Sequence, residues 1–348
     1  MNRRYLFLSL LLFLLVKLSA GSPSDTIRIG NHSALEAERY FNEGIQLFKQ
    51  NKPDQALKQF DKATELFPEY AQAFYNRGVV KQSQFDFNGA LKDFDEALEL
   101  SPEMALAYIA RGQVLGAMKK YAEAIKSFDQ GIRLNADQYL GWYYRGIVWF
   151  EQDEYARAAR DLTKAIELKP DFAAAWNDRG SSHQRLGNLP EALADYQQAL
   201  LLDPSMYFGF NNIGCLGNEM QQYQDALEYF TTAIRLQPSY AMAYNNRGIA
   251  RFNLEQYAEA ITDYNKALEL NPVFAEAFNN RGNAKYKLND FEGALTDFNQ
   301  AIALDPNYAE AYQNRGVLRE MMRDKEGARQ DWEKALELGL SISERFLK

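Results

Sequence analysis

Glycine recurs every 34 residues along this chain, at Gly44, Gly78, Gly112, Gly146, Gly180, Gly214, Gly248, Gly282 and Gly316, without one insertion. A period so strictly kept confines the chain to a tandem array of one supersecondary unit, because each unit can bury its apolar face only against the next. Other residues keep the same step. An aromatic stands four residues before each glycine, from Tyr40 and Phe74 to Trp142, Trp176 and Tyr312. Alanine follows twelve residues after it, from Ala56 to Ala328, and a large apolar side chain sixteen after it, from Phe60 and Phe94 to Trp332. Pro68, Pro102, Pro170, Pro204, Pro238, Pro272 and Pro306 close most units.

The spacing predicts two helices per unit. Aromatic and glycine, four residues apart, lie on one helical face. Glycine there costs about 1 kcal/mol against alanine, which points to the close approach of a neighbouring helix. A short polar turn such as Asn289-Asp290 follows, then a second helix with Ala294, Phe298, Ala301 and Ile302 at helical spacing. Proline cannot continue the hydrogen-bond ladder and ends it.

These residues resemble the tetratricopeptide repeat family, marked by aromatic, glycine, alanine, aromatic, alanine and proline in a 34-residue helix-turn-helix. The resemblance covers 37–342 as nine units (37–70, 71–104, 105–138, 139–172, 173–206, 207–240, 241–274, 275–308 and 309–342). It implies an all-α, right-handed superhelical α-solenoid that binds other proteins or peptides. Two units depart from the pattern: Gly131 and Ala136 replace alanine and proline in unit 3, and Leu340 replaces proline in unit 9. The first departure is expected to loosen the joint between units 3 and 4. Residues 22–36 read as a linker with a capping box, Ser33 to Glu36, opening the first helix. Residues 343–348 read as a C-terminal cap or tail.

The N-terminus has the layout of an export signal. Asn2-Arg3-Arg4 gives a positive start, Tyr5 to Val16 is almost wholly Leu and Phe, and Leu18-Ser19-Ala20-Gly21 offers small residues for cleavage. The apolar run is shorter than the roughly 20 residues of a spanning helix. Residues 1–21 are therefore expected to direct a periplasmic or secreted protein, or, if uncleaved, to tether it to a membrane through residues 5–16. A net charge of −8 argues against nucleic acid. The single Cys215 permits no internal disulfide and reads as a small packing residue.

Arg precedes the glycine in seven of nine units, and in six of those seven Asp stands fifteen residues after the glycine: Asp93, Asp161, Asp195, Asp263, Asp297 and Asp331. Units with Glu43 or Ile213 in place of Arg lack the Asp as well. The covariation within the chain predicts Arg–Asp bridges tying the two helices of a unit, extended by Lys81, Arg251, Lys285 and Arg319.

The resemblance also implies that first helices line a concave groove, with the residues two and three before the glycine pointing into it. Those positions hold Asn211, Asn212, Asn245, Asn246, Asn279, Asn280 and Asn314. An amide both donates and accepts, as a peptide backbone does, so this ladder is either a backbone-capture surface or a solvated habit of the repeat. In units 1–4 the same face carries Phe41, Tyr75, Tyr143, Tyr144 and Phe150, expected as an exposed apolar anchor. The expected site is thus bipartite. The family's clamp for an acidic C-terminus finds Phe41, Ile45, Leu106 and Ala110 at its places, with only Asn76 fitting. No motif points to catalysis, a cofactor or a metal: His32 and His183 stand far apart, and the glycines recur singly. The expected function is an exported, non-catalytic scaffold gripping an extended polypeptide, with a homo-oligomerising structural component as the alternative.

Overall fold

A computed structural model describes residues 32–341. The expected signal and the tail beyond 341 lie outside the described residues. The chain divides into two compact units, Met1–Asn188 and Leu189–Lys348, the division falling between the two helices of the fifth repeat.

The N-terminal unit holds α1 (His32–Lys49) and α2 (Pro53–Leu66), α3 (Ala71–Ser83) and α4 (Phe87–Leu100), α5 (Ala105–Ala117) and α6 (Tyr121–Leu134), α7 (Tyr139–Glu151) and α8 (Tyr155–Leu168), then α9 (Ala173–Arg185). The C-terminal unit holds α10 (Leu189–Leu202), α11 (Tyr207–Glu219) and α12 (Tyr223–Leu236), α13 (Ala241–Asn253) and α14 (Tyr257–Leu270), α15 (Ala275–Lys287) and α16 (Phe291–Leu304), α17 (Ala309–Met321) and α18 (Lys325–Glu337). Among the described residues every element is a helix, arranged in tandem pairs as an α-solenoid of helix-turn-helix repeats. Because α1 already includes His32, Ser33 stands inside its first turn rather than capping it.

The turn inside each repeat is built the same way. The residue seven after the glycine takes the left-handed conformation, from Asn51 (φ 59°) and Phe85 (62°) to Arg323 (68°). The next N–H then reaches back five residues, as in Asp86 N to Lys81 O at 3.0 Å and Asp290 N to Lys285 O at 2.9 Å. This closes the free carbonyls at the end of the first helix. Asp86, Asp290 and Asp324 cap the second helix, accepting from the N–H of Gly89, Gly293 and Gly327.

The glycine's role is a close ring contact. A Cβ on Gly248 would lie 2.6 Å from Tyr264 Cε1, and one on Gly78 2.7 Å from Phe94 Cε1. Phe60, Phe94, Phe128, Leu162, Phe230 and Phe298 are all buried at this position on the second helix. Each fully buried side chain of this kind contributes about 1.5–3 kcal/mol.

Unit 3 does not carry the loose joint that its departures suggested. A Cβ on Gly131 would meet Ile109 Cγ1 at 2.9 Å, and one on Gly141 of α7 would meet Ile132 Cγ1 at 2.9 Å, so small residues here draw α5, α6 and α7 together. Asn135 replaces the missing proline's effect by staying extended (φ −147°, ψ 92°) and accepting from Asp137 N. The last helix ends on Gly339 at φ +91°, with Leu340 N bonded to Ala335 O, which accounts for the absent proline of unit 9.

Candidate functional site

The Arg residues before the glycines are structural, as the covariation required, and each carries more than was expected. Arg77 grips Asp93 with Nε at 2.9 Å and Nη2 at 2.7 Å. Arg145–Asp161, Arg247–Asp263, Arg281–Asp297 and Arg315–Asp331 repeat this fork. Lys81, Arg251, Lys285 and Arg319 each add a second cation to the same carboxylate at 2.8–2.9 Å. The remaining Nη1 reaches into the preceding repeat: Arg77 to Asp61, Arg145 to Asp129, Arg247 to Thr231, Arg281 to Asn265 and Arg315 to Asn299. Each guanidinium also lies over the aromatic three residues earlier, 4.9 Å from the Trp142 centroid for Arg145. In unit 3, Arg111 uses Ser127 and Asp95 instead. One Arg therefore ties two helices of its own repeat to the repeat before.

The asparagine ladder forms a second set of ties. In the C-terminal unit Asn246 Nδ2 donates to Asn211 Oδ1 at 2.9 Å, Asn280 Nδ2 to Asn245 Oδ1 at 3.1 Å, and Asn314 Nδ2 to Asn279 Oδ1 at 2.9 Å. Each bond joins first helices of consecutive repeats. Asn211, Asn212, Asn245, Asn246 and Asn279 are buried, while Asn280 and Asn314 are half-buried. The amides are therefore neither solvated nor wholly free for a guest. What stays open is their flank: Asn245 Nδ2 lies 3.4 Å from the exposed Glu276, Asn279 Nδ2 lies 3.3 Å from Tyr308 Oη, and Asn283 stands one turn beyond Asn279 on the same face of α15. Cys215 belongs to this row as well. Asn246 Nδ2 approaches its Sγ at 3.2 Å and Asn211 Nδ2 at 3.7 Å, and burial pushes the thiol up to about 12.

The expected apolar anchor of units 1–4 is corrected by its burial. Tyr143 is 1% and Tyr144 5% exposed, and Tyr75 and Ile109 are buried with them between repeats. Tyr143 packs edge-on to Phe172 at 4.8 Å and to Tyr144 at 5.0 Å. Phe150, half-buried, sits edge-on to Tyr155 of its own repeat at 5.2 Å. Apolar residues at these columns fill the seam that asparagines bridge further along.

Asp178, not singled out by its type, occupies the ladder position of the fifth repeat. Tyr143 Oη donates to its Oδ2 at 2.8 Å and Asn177 Nδ2 to its Oδ1 at 3.0 Å, in the register that pairs Asn246 with Asn211. No cation meets this carboxyl among the described residues. Burial raises it to about 6, against the opposing pull of these two hydrogen bonds, and burial likewise holds the Tyr143 phenol well above its ordinary range. Asn76 shows the seam with a missing partner. The residue facing it in register is Phe41, so its amide turns back to Gln72 O at 2.9 Å and leaves Oδ1 buried without a partner.

Among the described residues no three His, Cys, Asp or Glu gather as a metal site. No described helix is long and apolar enough to cross a membrane. The half-buried His183 lies 3.5 Å from Asn188 Nδ2, in the turn that ends α9.

Family models described as TPR repeat match 44–84 and 282–322, and models described as tetratricopeptide repeat match 71–104, 109–170, 173–206, 209–240 and 241–274. The chain belongs to the tetratricopeptide repeat family. No curated protein matches it significantly. Its fold is similar to that of the solved APC/C hetero-tetramer Cut9–Hcn1, at a TM-score of 0.61, 16% identity, and coverage of 92% of this chain and 77% of that one. YrrB, described as a TPR protein with an unusual peptide-binding site, matches at 29% identity over 53% of this chain and 95% of its own, with a TM-score of 0.44. MamA matches at 25% identity over 46% of this chain and 93% of its own, with a TM-score of 0.41. Within this tetratricopeptide repeat chain, the open flank of the amide ladder is the candidate binding face.

Proposed function

We propose that this protein is a non-catalytic interaction scaffold that holds an extended polypeptide along the first helices of its repeats, with the C-terminal unit as the principal gripping surface. The carrying observation is the tandem array of tetratricopeptide repeats itself, a family that generally serves protein interaction. The open flank of the ladder supports the location. Glu276, Asn283, Asn280 and Asn314 present carboxylate and amide groups at one face of α15 and α17, suited to the N–H and C=O groups of a strand-like guest. The charged start, apolar run and small residues of positions 2–21 support placing this work in an export compartment.

The test is selection of binding peptides from a displayed random library, followed by titration of the best peptide against the protein and its Asn283→Ala/Glu276→Ala variant. Asn283 makes no ladder bond, and Glu276 only accepts a long 3.4 Å contact from Asn245 Nδ2, outside the Asn–Asn bonds that join the repeats. The reading expects at least about tenfold weaker binding, or 1.4 kcal/mol, with an unchanged melting curve. Selected peptides that bind both proteins equally would overturn the location. A library that yields no binder would overturn the function.

A further inference from the structure

The exposed faces of the second helices carry two rows of opposite charge. In the N-terminal unit the position fourteen after the glycine holds Lys58, Lys92, Lys126 and Arg160, one per repeat on α2, α4, α6 and α8, and all four are exposed. None of the four meets a carboxylate among the described residues. Their neighbours Arg157 and Lys164 do, pairing with Glu154 and Glu167. The same column of the C-terminal unit is Ala194, Glu228, Thr262, Thr296 and Gln330, without a cation. One turn earlier on the same helical stripe stand Glu191, Asp225, Glu259, Glu292 and Glu326, exposed and again one per repeat. Carboxylates in a first turn suit the helix dipole, but the dipole does not explain the unpaired cations, which lie mid-helix in the other unit.

We infer that these rows are the two halves of a self-association surface, the cation row of one copy's N-terminal unit seating against the carboxylate row of a second copy's C-terminal unit. The four cations advance by one repeat at each step, as do Glu191, Asp225 and Glu259, so a single alignment pairs several charges at once. Each copy owns both rows, so the cation row of any copy finds its complement on another. A second copy fits better than a lipid surface or another polyanion, because it alone offers carboxylates spaced one per repeat to match the cation row. Exposed pairs are individually weak and screened by salt, which makes the association reversible and salt-sensitive. It uses second helices and leaves the face of the first helices free, so it stands apart from the proposed polypeptide binding.

The experiment is sedimentation velocity of the full chain across concentration, at low salt and at about 1 M salt, where the Debye length falls to roughly 3 Å. Two charge-reversed chains are run beside it. One carries Lys58→Glu, Lys92→Glu, Lys126→Glu and Arg160→Glu; the other carries Glu191→Lys, Asp225→Lys and Glu259→Lys. Circular dichroism checks that both fold, as exposed sites permit. The expected result is concentration-dependent self-association at low salt that is lost at high salt, at least about tenfold weaker association for each reversed chain alone, and its recovery on mixing the two. A chain that stays monomeric at low salt, reversed chains that associate like the parent, or a mixture that recovers nothing would each overturn the inference. So would a monomer whose cation row binds vesicles of anionic lipid.

Discussion

Replacing Asp178 by asparagine is expected to stabilise this protein at neutral pH and to weaken it slightly in acid. Asp178 is buried against Tyr143 and Asn177 with no cation among the described residues, and its carboxyl is held at about 6 rather than the ordinary 3.8. The folded state therefore keeps a proton that the unfolded chain has released. Stability falls as pH rises through the window from 3.8 to about 6, and the loss is complete above it. The gap corresponds to about 3 kcal/mol of destabilisation at pH 7. Asparagine has no charge to desolvate and restores the residue that Asn212, Asn246, Asn280 and Asn314 place at this column. Its single oxygen can still accept from Tyr143, while the bond from Asn177 is lost at a cost of about 1 kcal/mol. The net gain of D178N is then about 2 kcal/mol near pH 7. Urea titrations followed by circular dichroism, run on both proteins at a series of pH values, read this as a higher midpoint for D178N at pH 7 that falls through the parent's and ends about 1 kcal/mol below it under about pH 4. Loss of stability in D178N at neutral pH, or a difference that does not change with pH, would refute the reasoning.

Further expectations follow from the same seams. Asn246→Ala strands the Asn211 oxygen and is expected to cost about 1–3 kcal/mol; Asn76→Ala, which removes an oxygen already without a partner, is expected to cost less than about 1 kcal/mol, and paired urea titrations compare them. Gly248→Ala drives a methyl toward the Tyr264 ring and is expected to lower stability by about 1–3 kcal/mol despite alanine's better helix propensity, visible as a lower melting temperature. Arg247→Ala leaves the buried Asp263 with Arg251 alone and is expected to cost about 3 kcal/mol, while peptide affinity of the folded protein is unchanged. Lost peptide affinity with unchanged melting would instead place Arg247 on the binding face.

The repeat array was legible because its grammar is local: glycine, ring, alanine and proline stand in fixed columns of one 34-residue unit. The Arg–Asp forks were legible for the same reason, since both partners vary together within a unit. The amide ladder was half-legible. Its residues stand out, but their bond joins one column to a different column of the next repeat, Asn211 to Asn246, a step of 35 residues that comparison within columns does not test. The Nη1 contacts of Arg281 and Arg315 with Asn265 and Asn299 were missed on the same ground. Tyr143 and Tyr144 misled because apolar residues at a groove column look exposed until the neighbouring repeat is laid against them. Asp178 had one readable sign, an acid in a column of asparagines, whose meaning depended on Tyr143 one repeat earlier.

The most direct test of the account is hydrogen–deuterium exchange of the full chain with and without its best selected peptide. Binding along the open flank predicts added protection in the first helices α13, α15 and α17, with little change in α14, α16 and α18. Protection confined to the second helices, or spread evenly over both helices of each repeat, would contradict it.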